Sequence, residues 1–281
     1  MSTVVTLEPE WAIGAMFGGR IAERAVALAR SVLDGPARVP LATSVRFLRP
    51  LEPGPAPVAA TVRHPGRRAA TVAVTFGDRG GRPAAEVLVT LGDPAALGPA
   101  SAPSDDEPAL PASASAPGDL GAQVDWRAAV DPWSGGGPGD FRAWIRARRA
   151  RPFRTRDGDV LDPAWYPVAA DLLGPALAWT GRPLPFRVAT VALDVTTTGL
   201  TRGTWLGQQI AVVRDGDLAV ARLDLRDAAG ATVATATQTA VVLPARPDEI
   251  PVAVTGFGWG RPVRHEFTND RPELTSGGRD A

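Results

Sequence analysis

Carboxylate chemistry is what the side chains of this sequence leave open. Its 281 residues hold no cysteine and two histidines, so thiolate nucleophiles, disulfides and cysteine-held metals are excluded. His64 sits in the turn His64-Pro65-Gly66, and His265 in a polar stretch near the end. Zinc needs three or four ligands at workable spacing, so no metal is expected. No Gly-x-Ser-x-Gly elbow, phosphate loop or dinucleotide glycine motif occurs. Asp171 is the informative acid, lying between Val168-Ala169-Ala170 and Leu172-Leu173. An unpaired buried carboxylate is costly. It is therefore either a helix N-cap held by backbone N–H groups or a general base poised in a pocket. Gln238, in the stretch ATATQTAVV, is either an exposed strand residue or a partner of that acid. Thr190 offers a hydroxyl toward the same place, and Asp194 in VALDVTTT reads as an outward or strand-end position.

The elements that must position these groups are written twice. Residues 11–29 (WAIGAMFGGRIAERAVALA) are followed by strand-like stretches at 41–54 and 58–91; residues 162–179 (DPAWYPVAADLLGPALAW) are followed by 186–200 and 218–243. Ile21, Ala25, Leu28, Ala29 and Val32 recur at helical spacing, which predicts an amphipathic helix over 16–33. Gly18-Gly19 falls in its first turn, where glycine costs about 1 kcal/mol relative to alanine. The pair marks a close backbone approach, to another element or to a ligand. The second helix is shorter and is interrupted by Gly174-Pro175, one turn after Asp171. Alternating apolar and polar residues between turn signals predict antiparallel strands in both copies, at 187–198, 204–214, 217–227 and 231–243 in the second. A helix across an antiparallel sheet, twice, is an α+β arrangement, and the two halves could join edge to edge in one long sheet.

Composition sets the frame. Apolar residues make up 44% and charged residues 21%, with zero net charge. Such a balance gives no footprint for nucleic acid or a membrane surface. The N-terminal MSTVVTLEPEW has no secretory pattern, and no apolar run reaches the length of a membrane span, so a soluble, cytoplasmic protein is expected. Every basic residue is arginine. A Pro-, Ala- and Ser-rich stretch separates the copies, which divides the chain into 1–95, a linker 96–124, 125–243 and a peripheral tail 244–281. Residues 126–160 are less regular, with a strand or short segment at 140–153 that carries clustered arginine.

FGGR at 17–20, SVRFLRP at 44–50, RHPGRR at 63–68, AAD at 169–171, LDVT at 193–196 and GATVATATQ at 230–238 follow an order that resembles the type II acyl-CoA thioesterases, the TesB-like family. The resemblance implies a double hotdog, in which two long helices are each wrapped by an antiparallel sheet and the sheets are continuous. It implies hydrolysis of an acyl thioester, with an Asp, a Thr or Ser and a Gln holding the attacking water. By position Asp171 and Gln238 match that set. Ala192 stands where the hydroxyl belongs, and Thr190, two residues earlier and so on the same side of a regular strand, is the substitute. Leu41-Ala42 replace a histidine often found ahead of the FLRP strand.

Aligning Gly81 with Gly230 sets Val89 opposite Gln238 and Gly18-Gly19 opposite the Asp171 region. One site per chain is therefore expected, made by second-copy side chains and first-copy backbone. Gly18 and Gly19, or Leu172-Leu173, would supply N–H groups to the oxyanion, and Arg67, Arg68 or Arg146 would meet coenzyme A phosphates. No cofactor is implied. The substrate would be an acyl-CoA or acyl-carrier thioester, with a place in lipid metabolism, and assembly of like copies is a further expectation. Two other readings stay open. One is hydration, dehydration or cyclisation of a thioester on the same fold, against which the scarcity of histidine speaks. The other is a binding protein with a decayed site, for which Ala192 speaks.

Overall fold

In the computed structural model, the described residues are 1–13, 15–35, 37–101, 124–128, 140–148, 152–171, 186–244, 254–255 and 258–259. The first half runs β1 (Ser2–Leu7), β2 (Ala12–Ile13), β3 (Ala15–Met16), α1 (Gly18–Ser31), β4 (Val39–Phe47), β5 (Gly54–His64), β6 (Ala69–Gly77) and β7 (Pro83–Gly92). The second runs β8 (Val124–Ala128), β9 (Asp140–Ala147), β10 (Pro152–Thr155), β11 (Gly158–Leu161), α2 (Tyr166–Ala170), β12 (Phe186–Thr197), β13 (Trp205–Asp215), β14 (Leu218–Arg226) and β15 (Thr232–Pro244). A further pair, β16 (Val254–Thr255) and β17 (Gly258–Trp259), is described in the tail.

Eleven strands form one sheet in the order β1-β5-β6-β7-β4-β12-β15-β14-β13-β9-β8. The halves meet at β4 and β12, which pair antiparallel through Ser44↔Asp194 and Val45↔Leu193. Each half thus covers the edge that the other would leave open, and no aggregation-prone strand faces solvent at the seam. Asp194 reinforces the seam on the outer face. It accepts hydrogen bonds from the Ser44 hydroxyl and from Arg46, the latter at 3.0 Å.

Alternation explains which face is covered. Thr43, Val45, Val87, Val89, Leu193, Val195, Leu223 and Leu225 are buried on the helix side, whereas Arg46, Leu88 and Thr196 stay exposed on the other. Ile21, Ala22, Ala25, Val26 and Ala29 of α1 fill the same interior. One apolar core runs through both halves. Trp11 and Trp165, which end matching Pro-x-Trp turns before α1 and α2, meet edge to face at 6.1 Å. Arg30 of α1 forks onto both Asp162 oxygens at 2.7 and 2.8 Å and ties the halves together again.

Several expectations change here. Among the described residues, the region read as less regular carries four strands, β8 to β11, and β10–β11 is a separate hairpin that closes a small second core with Val39 and Leu200. Of the stretch 140–153, read as a strand or short segment, residues 140–147 are indeed a strand, β9, paired with β8 and β13. α2 stops at Ala170, so Asp171 is the residue that leaves the helix rather than one inside it or at its start; its ψ of 60° breaks the helical course. Gly174-Pro175, Leu172-Leu173, most of the linker and most of the tail lie outside the described residues.

Candidate active site

α1 begins without a local cap. Phe17 stands at its N-cap position and offers no side-chain acceptor, although the first N–H groups of any helix need one. The acceptor comes from the other half: Gly19 N–H donates to Asp171 Oδ2 at 2.8 Å across 152 positions of sequence. The approach is close enough to require the two glycines. A Cβ on Gly18 would lie 2.7 Å from that same Oδ2 and 2.6 Å from the Phe47 ring, and one on Gly19 would lie 2.6 Å from Pro167 O and Val168 Cα. Asp171 is thus a helix N-cap, but of α1 rather than of its own helix.

The other carboxylate oxygen meets the sheet. Gln238 Nε2 donates to Asp171 Oδ1 and, at 2.8 Å, to Thr190 Oγ1. Gln238 is 4% exposed and faces inward on β15 between Ala236 and Ala240, opposite Leu193 on β12 and Ala221 on β14. Those small neighbours leave room for one amide on an otherwise apolar floor. The exposed-strand reading of Gln238 is therefore overturned.

Thr190 reaches this group for a reason that strand periodicity hides. Ala192 pairs with Thr239, but Thr190 pairs with Ala240, because β12 bulges between them. The extra residue reverses the alternation. Thr190 therefore shares the inner face with Gln238, while Ala192 turns to the outer face. The two do not share a side, as a regular strand would have it. The corresponding bulge in the first half lies between Pro40 and Ala42 of β4, where Pro40 offers no hydroxyl and Val89 pairs with Thr43 as Gln238 does with Leu193. The duplicated position carries no acid–amide–hydroxyl set among the described residues.

Asp171 is 6% exposed. Loss of water around its charge pushes the carboxyl up to about 6, against 3.8 ordinarily. The N–H of Gly19, the Gln238 amide and, less strongly, the Gly18 N–H and Thr190 hydroxyl pull the other way. A base that ionises near neutrality, held between a helix N-terminus and an amide, can take a proton from a water and return it.

Of the remaining sequence candidates, Gly18 and Gly19 lie against Asp171 and the arginines do not. Gly19 spends its N–H on the carboxylate, so it is not available as an oxyanion donor. Arg67 and Arg68 lie at the tip between β5 and β6, beside Gly92 at the Val39 end of β4. Phe47, at the other end of β4, is the one against Gly18. Eight strand steps between them amount to about 26 Å. Arg146 is bound to Asp125 at 2.7 Å and stacks on Trp205 at 4.6 Å. His64 is exposed, and Asp194 serves the seam. One inward polar residue escaped notice. Gln208 is 3% exposed and donates through Nε2 to Ala169 O; its place between inward Leu206 and Ile210 on β13 was the available signal.

Residues 7–92 match the family described as acyl-CoA thioesterase N-terminal domain. No curated protein matches the chain by sequence. Among solved structures, a candidate thioesterase II from Thermobifida fusca YX is 23% identical with a TM-score of 0.67, over 86% of this chain and 92% of that one. A hot dog protein of unknown function from Alicyclobacillus acidocaldarius is 18% identical with a TM-score of 0.67, over 86% and 92%. Acyl-CoA thioesterase II TesB2 from Mycobacterium marinum is 18% identical with a TM-score of 0.63, over 84% and 92%. At these identities the structural likenesses speak for the double hotdog fold, and the family match speaks for the acyl-CoA thioesterase group. On that match and that fold, residues 7–92 are similar to the acyl-CoA thioesterase N-terminal domain, and the chain has the hotdog fold of these structures.

Proposed function

We propose that the chain hydrolyses acyl-CoA, or the same acyl group on a carrier thiol, with Asp171 as general base and Gln238 and Thr190 holding the water. The two hotdog halves would be 1–95 and 125–243, with 96–124 as linker and 244–281 as a peripheral tail, and the one site would lie between them. The Asp171 carboxylate takes a proton from water as the water oxygen attacks the thioester carbon. The carbon–sulfur bond breaks, the thiolate leaves with the proton returned by Asp171, and a carboxylic acid remains. General base catalysis is worth roughly 10²–10⁴-fold, which is the part assigned to Asp171. Gln238 fixes the direction of the carboxylate with one N–H and of the Thr190 hydroxyl with the other. Thr190 Oγ1, which accepts from Gln238, has a second lone pair with which to hold the water.

The observation that carries this reading is the buried Asp171–Gln238–Thr190 chain. Thiol release from a panel running from acetyl-CoA to palmitoyl-CoA tests it, with Asp171→Asn as control. Turnover that Asp171→Asn abolishes supports the proposal; turnover that survives the substitution removes Asp171 from it. A second reading rests on the capping of α1 by Asp171. A carboxylate that only caps a helix belongs to a binding protein, which would retain acyl-CoA without releasing thiol.

A further inference from the structure

Asp171 is held in place by what holds the end of α2, and that end has few means of its own. α2 is five residues long, and Asp171 N–H bonds back to Pro167 O at 3.2 Å before the chain leaves the helical course. The last carbonyls of a helix have no partner within it. Ala169 O is one of these, two residues before the acid, and it is buried with its residue at 0% exposure. Gln208 reaches it from β13. The strands that flank Gln208 offer Ala143 and Leu225 at the same level, both apolar.

The Gln208 amide is only half used. Its Oε1 is buried and meets no donor among the described residues. A half-satisfied amide inside an apolar layer is unfavourable by itself, and a methionine or leucine would fill the same space without that cost. What Gln208 adds over such a residue is the N–H to Ala169 O. Rotating the amide would set oxygen against oxygen, so the assignment of Nε2 to this bond follows from the chemistry of the acceptor.

We propose that Gln208 is a positioning residue for the hydrolytic site: it pins the carbonyl at the end of α2 and thereby sets where Asp171 stands between Gly19 and Gln238. This rests on the reading of Asp171 as the base. Gln208 touches neither the water nor the thioester. Its loss lets the end of α2 drift, and a displacement of about 1 Å at a reacting group can cost about 10²-fold.

Two near-isosteric variants and two readouts test the inference. Gln208→Met removes the donor. Gln208→Glu keeps a donor only while its carboxyl is protonated. Gln208→Met should lower kcat about 10- to 100-fold with KM for acyl-CoA unchanged. Gln208→Glu should lose kcat as pH rises through the range where the native protein stays level. Independently of turnover, carboxyl-labelled NMR of the full chain should find the Asp171 titration moved down from about 6 in Gln208→Met, as water reaches the loosened carboxylate. A Gln208→Met protein with native kcat and an unmoved Asp171 titration overturns the inference. If that variant does not fold, a Gln208→Glu profile parallel to the native one overturns it. Should Asp171→Asn retain full turnover while the Gln208→Met titration still moves, the failure belongs to the base assignment and not to the pinning.

Discussion

Replacing Asp171 by Asn distinguishes a carboxylate held against its preference from one that merely caps a helix. In the folded chain the Asp171 carboxyl holds its proton up to about pH 6, against 3.8 ordinarily, because burial strips water from the charge. Between those two values the folded chain binds more protons than the unfolded one. Stability therefore falls as pH rises from about 4 to about 6, and the loss persists above that range. At about 1.4 kcal/mol per pH unit of difference, the step is about 3 kcal/mol. Asn does not titrate, and every other group titrates alike in both proteins. The stability of Asp171→Asn minus that of the native chain should therefore increase by about 2–3 kcal/mol from about pH 3.5 to about pH 7. A constant offset is expected as well, since the Asn NH2 group must face one of two donors, Gly19 N–H or the Gln238 amide; it does not alter the slope. Urea unfolding followed by tryptophan fluorescence across that range reads the difference directly. Parallel curves would refute the claim that desolvation dominates this carboxyl. A difference that declines with pH would mean that the α1 N-terminus stabilises the anion on balance, and the capping role would then be the main one.

The native kcat/KM should fall tenfold per pH unit below about 6 and level off above it, as the base protonates. Thr190→Val should lower kcat by about tenfold, the worth of one hydrogen bond near 1.4 kcal/mol, and adding Ala192→Thr should not restore it, because the bulge turns that residue to the outer face. Gly19→Ala should lower stability by about 1–3 kcal/mol in thermal unfolding, since its methyl meets backbone atoms of Pro167 and Val168 at 2.6 Å. Arg67→Ala combined with Arg68→Ala should leave KM for acyl-CoA within about twofold, given the roughly 26 Å of strand between that hairpin and the acid.

The sequence was legible where its periodicity reports a local preference. The stripe Ile21, Ala25, Ala29 announced α1, and the alternation in VATATQTAVV announced β15 within a residue or two. The doubled order of helix and strands pointed to two halves sharing a sheet, because strand edges must be covered by something. The glycine pair at 18–19 announced a close approach without saying to what. Asp171, Gln238 and Thr190 stood out as polar residues in apolar surroundings, a cost that has to be met somewhere.

What met the cost was a matter of tertiary structure. Asp171 caps a helix through an N–H 152 positions earlier in the chain, and no window of sequence contains both ends of that bond. One extra residue in β12 decides that Thr190 faces Gln238 and Ala192 does not; alternation cannot foresee where it slips. The register between β4 and its neighbours sends the Arg67–Arg68 hairpin to the far end of the sheet. Alternation along β13 places Gln208 on the inner face between Leu206 and Ile210, but only the short α2 brings Ala169 O to it. Local patterns record which face a residue prefers, and only the packing of distant elements decides which partner waits there.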